Sequence, residues 1–153
     1  MRTLSVAATI EIDRPMFVVR QQFSDVAHHA RTNPHRGVRF TELDDDGRVC
    51  RYRQTTRLGP LRLHQELHLE RRPAGPLVNT IVAGQLAGGA ITFDFAELTP
   101  ARTRVDAVVE APLRGAHALL SRALRANVQR AIGRALREDK LDLEQGDYRP
   151  TAA

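Results

Sequence analysis

Polar side chains interrupt the apolar faces of two neighbouring predicted strands in the middle of the chain. Tyr52 and Gln54 share one face of a strand over 48–58, and Gln65 stands among the leucines of the next strand. A few polar groups in an apolar cavity fix the orientation of a bound ligand. Two other interpretations stay open: Gln54 and Gln65 as a cross-strand amide pair, and Tyr52 as a core residue with its hydroxyl at the rim.

A second set of candidate ligand contacts lies near the apolar stripe of a long helix predicted towards the C-terminus. His117, Leu120 and Asn127 fall on or beside this stripe, so we expect their side chains to face the same cavity. An imidazole and an amide would there bind the polar part of a ligand. Alternatively, His117 is solvated near the start of the helix, and Asn127 is paired within the protein.

Two phenylalanines flank an aspartate in a later predicted strand. Alternation with a period of two places Phe93 and Phe95 on the cavity side and Asp94 towards solvent. The opposite phase would make Asp94 an internal general acid or base, but it would expose both aromatic rings. We therefore include Phe93 and Phe95 among the ligand-binding residues and assign no catalytic residue.

The other five histidines raise the question of a metal site. His28, His29 and His35 cluster after the first predicted helix, near the expected mouth of the cavity. They would approach one metal ion only if the loop folds back, and their spacing matches no zinc motif. His64 and His68 are about 13 Å apart along one strand, too far for a shared ion. The sequence therefore predicts no metal site and no cofactor.

The order of predicted elements indicates which fold positions these side chains. Alternation predicts a strand over 3–12, and Asp13 and Pro15 are typical of the start of a helix, here over 16–25. Residues 26–37 favour a second short helix or a turn. The remaining elements are strands over 38–43, 48–58, 61–70, 77–86, 90–98 and 103–111, an amphipathic helix over 113–143 and a flexible tail over 145–153.

This order predicts a cavity as well as a fold. Seven consecutive antiparallel strands twist and curl, and only the C-terminal helix is long and amphipathic enough to cover their apolar face. One helix fills a strongly curved sheet incompletely, so a pocket remains between them. The prediction is an α+β fold, a seven-stranded curved antiparallel sheet wrapped around a long C-terminal helix, forming a single domain over 1–144.

Composition limits the classes of function. The chain has 153 residues, 42% of them hydrophobic, and a net charge of +5, with arginine in every basic position except Lys140. The arginines indicate either an anion-binding surface or the codon bias of a GC-rich genome, and their even spread favours the second. Cys50 is the single cysteine, so no internal disulfide forms. With no signal peptide and no apolar run of membrane-spanning length, we expect a cytoplasmic protein.

Several local features resemble one known superfamily. A strand ends near Asp13 and Pro15, Phe17 and Val18 follow as paired apolar residues, and Asp25 closes the helix. These features and the element order along essentially the whole chain resemble the helix-grip fold of the START and birch-pollen-allergen superfamily, especially its bacterial polyketide cyclase/dehydrase branch. The resemblance implies that lipids, sterols or polyketides bind between the sheet and the long helix. Some members are cyclases or dehydratases, and others carry ligands, sense them or dock on partners.

We therefore expect this protein to bind a hydrophobic small molecule, lipid- or polyketide-like, between its sheet and C-terminal helix. A polyketide cyclase or dehydratase acting on such a ligand is the first alternative. A docking module that binds an acidic partner or RNA through its arginines is the second, although nucleic acid is the less favoured partner. An inward histidine or carboxylate with a perturbed pKa would favour the enzyme, and an interior of amides and aliphatic groups would favour the carrier.

Overall fold

The computed structural model describes residues 2–151 and confirms the predicted α+β architecture. The strands are β1 Arg2–Ile12, β2 Val38–Asp45, β3 Val49–Leu58, β4 Leu61–Glu70, β5 Leu77–Gly84, β6 Ala90–Thr99 and β7 Arg102–Leu113. The helices are α1 Met16–Ser24, α2 Val26–Thr32, α3 Ala116–Leu119 and α4 Ser121–Gln145. Two short helices thus follow the first strand, as predicted, and a long helix follows the last.

All seven strands form one antiparallel sheet in the order β1-β7-β6-β5-β4-β3-β2. Alternate residues of β7 are buried, from Thr103 and Val105 through to Leu113, because successive side chains of a strand point to opposite faces. Pairing of β1 with β7 places Leu4 opposite Ala111, and both are buried. One face of the sheet therefore carries the core.

Irregularities in the strand pairing accompany the curvature of the sheet. The register shifts once between β2 and β3, once between β4 and β5, and once between β6 and β7. An extra residue in one strand bends that strand and increases its twist. At the end of β5, Gly84 has a φ of +112°, and a Cβ there would collide with the backbone oxygen of His64. This close approach requires glycine.

Helix α4 covers the concave face and packs mainly against β1. Its buried residues are Leu124, Val128, Leu136, Asp139 and Leu143, which recur with helical spacing. Two side chains fix its direction along the first strand: Gln129 donates to the carbonyl of Ala7 at 2.6 Å, and Lys140 donates to that of Glu11 at 2.6 Å. No helix within residues 2–151 is both long and apolar enough to cross a membrane.

The predicted long helix begins later than the sequence indicates. Leu113 belongs to β7, where it pairs with Arg2, and the chain then turns at Gly115, which has a φ of +57°. Helix α3 lasts four residues, and α4 begins at Ser121. The physical reason lies in the period: Leu113 continues the alternate burial of β7, so it completes a strand instead of opening a helical stripe.

The residues after α4 pack against the two short helices. Tyr148 is 6% exposed, and its hydroxyl donates to Oδ2 of Asp25 at 3.1 Å. The other oxygen of Asp25 accepts from the backbone N–H of His28 at 2.9 Å and so caps α2. Gln21 donates to the hydroxyl of Thr151 at 2.8 Å. One buried aromatic ring thus ties down the described part of this segment, up to residue 151, and the flexible tail over 145–153 stays a prediction.

Candidate functional site

A cavity with two adjoining lobes lies between the sheet and α4. The first, here called the histidine lobe, is about 90 Å³ and is lined by Phe23, Val26, His29, His35, Val38, Phe40, Tyr52, Gln54, Asn79, Ile91, Phe93, Ile132, Ala135, Leu136 and Asp139. The second, the aliphatic lobe, is also about 90 Å³ and is lined by Val38, Gln54, Thr56, Leu58, Leu63, Gln65, Ile81, Leu86, Ile91, Val109, Val128, Ala131, Ile132 and Ala135. Five residues line both lobes, so the two spaces adjoin.

Local backbone structure brings His29 and His35 together at one end of the cavity. Helix α2 ends at Thr32 and is followed by Asn33, whose left-handed conformation (φ 49°, ψ 59°) turns the chain back on itself. Asparagine adopts this conformation more readily than most residues. The imidazole rings of His29 and His35 consequently stack, with centroids 5.4 Å apart and planes inclined by 12°. Both side chains are buried.

The carboxylate of Asp139, projecting from α4, is the centre of a hydrogen-bonding cluster. Its Oδ1 lies 3.0 Å from Nε2 of His29 and 3.3 Å from Nε2 of His35. The side-chain amide of Gln22, on α1, donates to the same oxygen at 3.0 Å and to Oδ2 of Asp142 at 2.9 Å. Three separate segments therefore converge on one carboxylate that is 5% exposed.

The electrostatics of this cluster favour its charged form. Burial alone would lower the pKa of His29 and of His35, but hydrogen bonds and charge attraction from Asp139 raise both pKa values above the ordinary one. Glu138 adds to the effect at His35. Burial alone would raise the pKa of Asp139, whereas its two histidine partners hold it well below the usual range. The protein therefore holds ionised groups at the wall of an otherwise apolar cavity.

His28 forms a separate pair and does not line the cavity. Its Nε2 lies 2.7 Å from Oδ2 of Asp142, and its ring packs edge-on against Tyr148 with centroids 4.6 Å apart. The sequence groups the three histidines at the cavity mouth. The structure buries all three and directs only His29 and His35 to the cavity.

Tyr52 and Asn79 form the other polar contact of the histidine lobe. The Tyr52 hydroxyl donates to Oδ1 of Asn79 at 2.7 Å, and the Asn79 amide donates to the carbonyl of Ile91 at 3.3 Å. Burial raises the pKa of Tyr52, so its hydroxyl stays protonated and remains a donor. This pair lies in the wall formed by β3, β5 and β6.

Gln54 and Gln65 are direct partners in the register of β3 and β4, as the first interpretation of their spacing requires. They do not bond to each other. The Gln54 amide donates to Thr56 at 3.0 Å, whereas Gln65 donates to Gln85 at 3.2 Å and accepts from the backbone N–H of Leu86 at 3.2 Å. Gln54 lines both lobes, and Gln65 lines the aliphatic lobe.

The two phenylalanines occupy different positions. Phe93 lines the histidine lobe and packs edge-on against Phe23, with centroids 5.1 Å apart. Phe95 also packs against Phe23, at 5.7 Å, but it lies outside the lining of both lobes, and the guanidinium of Arg20 lies 5.1 Å above its ring. Asp94 is exposed, as the alternation predicts.

Three predicted contacts on the C-terminal helix do not reach either lobe. His117 belongs to the short α3, and Leu120, which is 54% exposed, separates α3 from α4. Asn127 is half-buried and accepts from Arg130 at 2.5 Å, within its own helix. Their placement follows from the late start of α4, because the break at Leu120 changes which residues share its buried face.

Sequence analysis also missed the carboxylate that completes the histidine cluster. The predicted apolar stripe passes through Val128, Ala131 and Ala135, and continuing it by four residues gives Asp139. A charged residue on the buried stripe of a helix contradicts the pattern, and such contradictions mark internally paired or functional groups. That signal identifies Asp139 but not its partners, which lie more than 100 residues earlier in the chain.

Comparisons with known proteins show the same fold. The sequence matches no family model, and no curated protein matches it. Among solved structures, TTHA0849 from Thermus thermophilus aligns with a TM-score of 0.83 at 15% identity, over 94% of this chain and 99% of that one. The Zhui aromatase/cyclase from a Streptomyces species aligns with a TM-score of 0.80 at 15% identity, over 94% and 95%. A START superfamily protein from Mycobacterium smegmatis aligns with 0.69 at 16% identity, over 92% and 97%.

Proposed function

We propose that this protein binds a hydrophobic small molecule, lipid- or polyketide-like, in the two-lobed cavity between the sheet and α4. The observation that carries the proposal is the composition of the lining, which is aliphatic and aromatic apart from a few polar groups concentrated at one end. Ligand pockets typically have this character, with the polar groups fixing orientation. The aromatase/cyclase with the same fold supports the polyketide-like class.

The distribution of polar groups between the two lobes predicts the orientation of the proposed ligand. Its oxygen-bearing end would lie in the histidine lobe, near Tyr52 and Asp139, and its hydrocarbon part in the aliphatic lobe, beside Leu63 and Val128. Each lobe is about 90 Å³, well below the volume of roughly 300–1,000 Å³ typical for drug-sized ligands. A lipid-like ligand would therefore require the lining side chains to move apart.

Native mass spectrometry of the purified protein tests this proposal. We expect a co-purifying apolar molecule with wild type, and its loss when Ala135, which lines both lobes, is changed to phenylalanine. Ala123→Phe is the matched control, because Ala123 is an exposed alanine of the same helix. Thermal unfolding of both variants reports whether they fold. Absence of any bound molecule in wild type, together with failure of a long-chain fatty acid to bind, would contradict the proposal.

Proton transfer to and from the bound ligand is the second candidate function. It is favoured by the inward placement of His29, His35 and Asp139, whose pKa values are shifted and which all line the histidine lobe. A cyclisation or dehydration needs a group that removes a proton from carbon and one that protonates oxygen. The histidines would take these roles towards a ligand carbonyl held in that lobe.

Hydrogen–deuterium exchange of a linear 1,3-diketone tests this second function, because its central C–H is the acidic position of polyketide-like molecules. We expect the protein to accelerate exchange, and His35→Gln to reduce the acceleration at least about a hundredfold, the lower end of the contribution of one acid–base group. His64→Gln is the control, since His64 lies on the exposed side of β4. Equal acceleration by His35→Gln and wild type would exclude this role.

The docking alternative, binding of an acidic partner or RNA, stays a prediction from the arginine content alone.

A further inference from the structure

The histidine lobe brings together three side chains that commonly bind metal ions. One ligand atom each from His29, His35 and Asp139 lies within 4.8 Å of the other two, and all three residues are buried. We propose that these three residues bind one divalent transition-metal ion, such as Zn²⁺ or Fe²⁺, on the wall of the cavity. This inference goes beyond binding of a hydrophobic molecule, which needs no metal. It is an alternative to the acid–base role of the two histidines, because an Nε2 atom bound to a metal accepts no proton.

The hydrogen-bond partners of the two ring nitrogens of His29 support the proposal. Its Nδ1 lies 2.9 Å from the backbone carbonyl oxygen of Asp25, which only accepts, so Nδ1 carries the proton. Its Nε2 lies 3.0 Å from Oδ1 of Asp139, which also only accepts when ionised. A neutral imidazole has a single N–H, so its Nε2 would direct a lone pair at the carboxylate. The contact needs either a second proton on the imidazole or a cation that both atoms bind.

His35 repeats the same arrangement. Its Nδ1 lies 3.3 Å from Oε1 of Glu138, and its Nε2 lies 3.3 Å from Oδ1 of Asp139. Glu138 is itself held in place, because its Oε2 accepts from the backbone N–H of Arg36 at 3.0 Å. Without a metal, two positively charged rings must stack 5.4 Å apart. One divalent ion carries the same charge as the two extra protons and satisfies both Nε2 atoms at once.

The groups around the cluster match the surroundings of known metal ligands. Histidines that bind metals usually donate their other ring N–H to a carbonyl or a carboxylate, as His29 and His35 do here. Ligating carboxylates are usually hydrogen-bonded themselves, and Gln22 donates to Asp139. Within residues 2–151, the buried Oε1 of Gln22 has no hydrogen-bond partner. Reversing the amide would direct this oxygen at two carboxylates, so the observed orientation is the one that positions Asp139.

The distances and donor types favour a particular class of ion. In a tetrahedral site, bonds of about 2.0–2.2 Å place neighbouring ligand atoms about 3.3–3.6 Å apart. The two separations from Asp139 are 3.0 and 3.3 Å, and all three ligand atoms lie within 4.8 Å of one another. The imidazoles would turn out of their stacked arrangement to direct both Nε2 atoms at one ion. Imidazole nitrogens with one carboxylate suit zinc, iron or cobalt better than magnesium or calcium. All three residues line the lobe, so a further coordination position would face the bound molecule.

Titration with Co²⁺ after treatment with a chelator tests the site directly. Visible absorption bands should report one Co²⁺ per chain, and Zn²⁺ should displace it. We expect His35→Gln and Asp139→Asn each to weaken Co²⁺ binding at least tenfold. His28→Gln should leave binding within twofold, because His28 contacts Asp142 and not the proposed ion. His64→Gln, on the exposed face of β4, controls for adventitious binding at the surface.

A measurement on wild type keeps the proposal falsifiable if a variant fails to fold. Zn²⁺ should shift the ¹⁵N resonances of Nε2 of His29 and His35 while those of His28 and His64 stay unchanged. Failure of wild type to take up Co²⁺, or uptake unchanged by both substitutions, would overturn the proposal. These titrations use protein from which any co-purified hydrophobic molecule has been extracted, so their outcome is independent of whether the cavity binds one.

Discussion

The two lobes of the cavity adjoin, yet they are stabilised by different forces. The histidine lobe holds His29, His35 and Asp139 in a buried, charged cluster. The aliphatic lobe is lined mostly by branched side chains, and its Gln65 bonds to Gln85 and Leu86 in the turn after β5. The comparison shows that charge pairing stabilises the structure at one end of the cavity, and close packing of apolar side chains stabilises it at the other. Substitutions at the two ends should therefore fail for different reasons.

Asp139→Ala should produce the largest loss of stability. It leaves two buried imidazoles and the Gln22 amide without their shared acceptor, and breaking a buried charge pair costs about 3–5 kcal/mol. Urea unfolding measures the effect. Asp94→Ala, at an exposed position, should change stability by about 0.5 kcal/mol or less. Equal losses for the two variants would mean that the cluster contributes no net stability.

Leu63→Ala should cause the next largest loss of stability. Unlike the loss of stability, its effect on ligand affinity should be a gain. Leu63 is 4% exposed in the aliphatic lobe, and deleting such a side chain costs about 2–4 kcal/mol. The same deletion enlarges an apolar cavity, so affinity for a bulkier hydrocarbon should rise. Isothermal titration with fatty acids of increasing bulk measures this gain. Loss of affinity for all of them would contradict the division into a polar and an aliphatic end.

Tyr52→Phe should have a smaller effect, because it removes one neutral hydrogen bond. The buried Oδ1 of Asn79 loses its donor, which costs about 1–2 kcal/mol. A double-mutant cycle with Asn79→Ala isolates the contact, and we expect a coupling of about 1 kcal/mol in urea unfolding. A coupling near zero would show that the two residues act independently.

Gln54→Met should change stability least, by about 1 kcal/mol or less. Gln54 is half-buried where the two lobes meet, and its amide bonds only to Thr56, two residues away on its own strand. The substitution keeps length and removes polarity, so it extends the aliphatic lobe towards the histidines. Thermal unfolding checks the stability, and a larger loss would indicate that Gln54 has a structural partner in the cavity.

Much of the fold is predictable because its signals are local. Alternation indicates the strands, and the facing positions of Gln54 and Gln65 follow from one short turn between β3 and β4. The start of α4 was missed because Leu113 and Leu120 fit a helical period as well as they fit a strand end and a helix break. Periodicity alone does not separate these cases.

Much less of the site is predictable, for a geometric reason. His29 and Asp139 both carry chemistry, but no sequence spacing relates a residue of α2 to one of α4. Their meeting depends on how α4 rotates about its axis and on the turn at Asn33, which returns His35 to His29. Strand residues such as Tyr52 and Phe93 could be assigned to the cavity side because a strand has only two faces.

The long sequence distance between the residues of the histidine cluster also determines when the cavity can form during synthesis. His29 and Asp139 are 110 residues apart, and β1 pairs with β7, which ends at Leu113. At about 5–20 residues per second, the ribosome adds the second partner roughly 5–20 s after the first. Until β7 has been made, β1 lacks its neighbouring strand, and until Asp139 has been made, the two imidazoles lack their shared carboxylate. Contacts this distant also make folding slow, so the cavity assembles only after α4 has been synthesised.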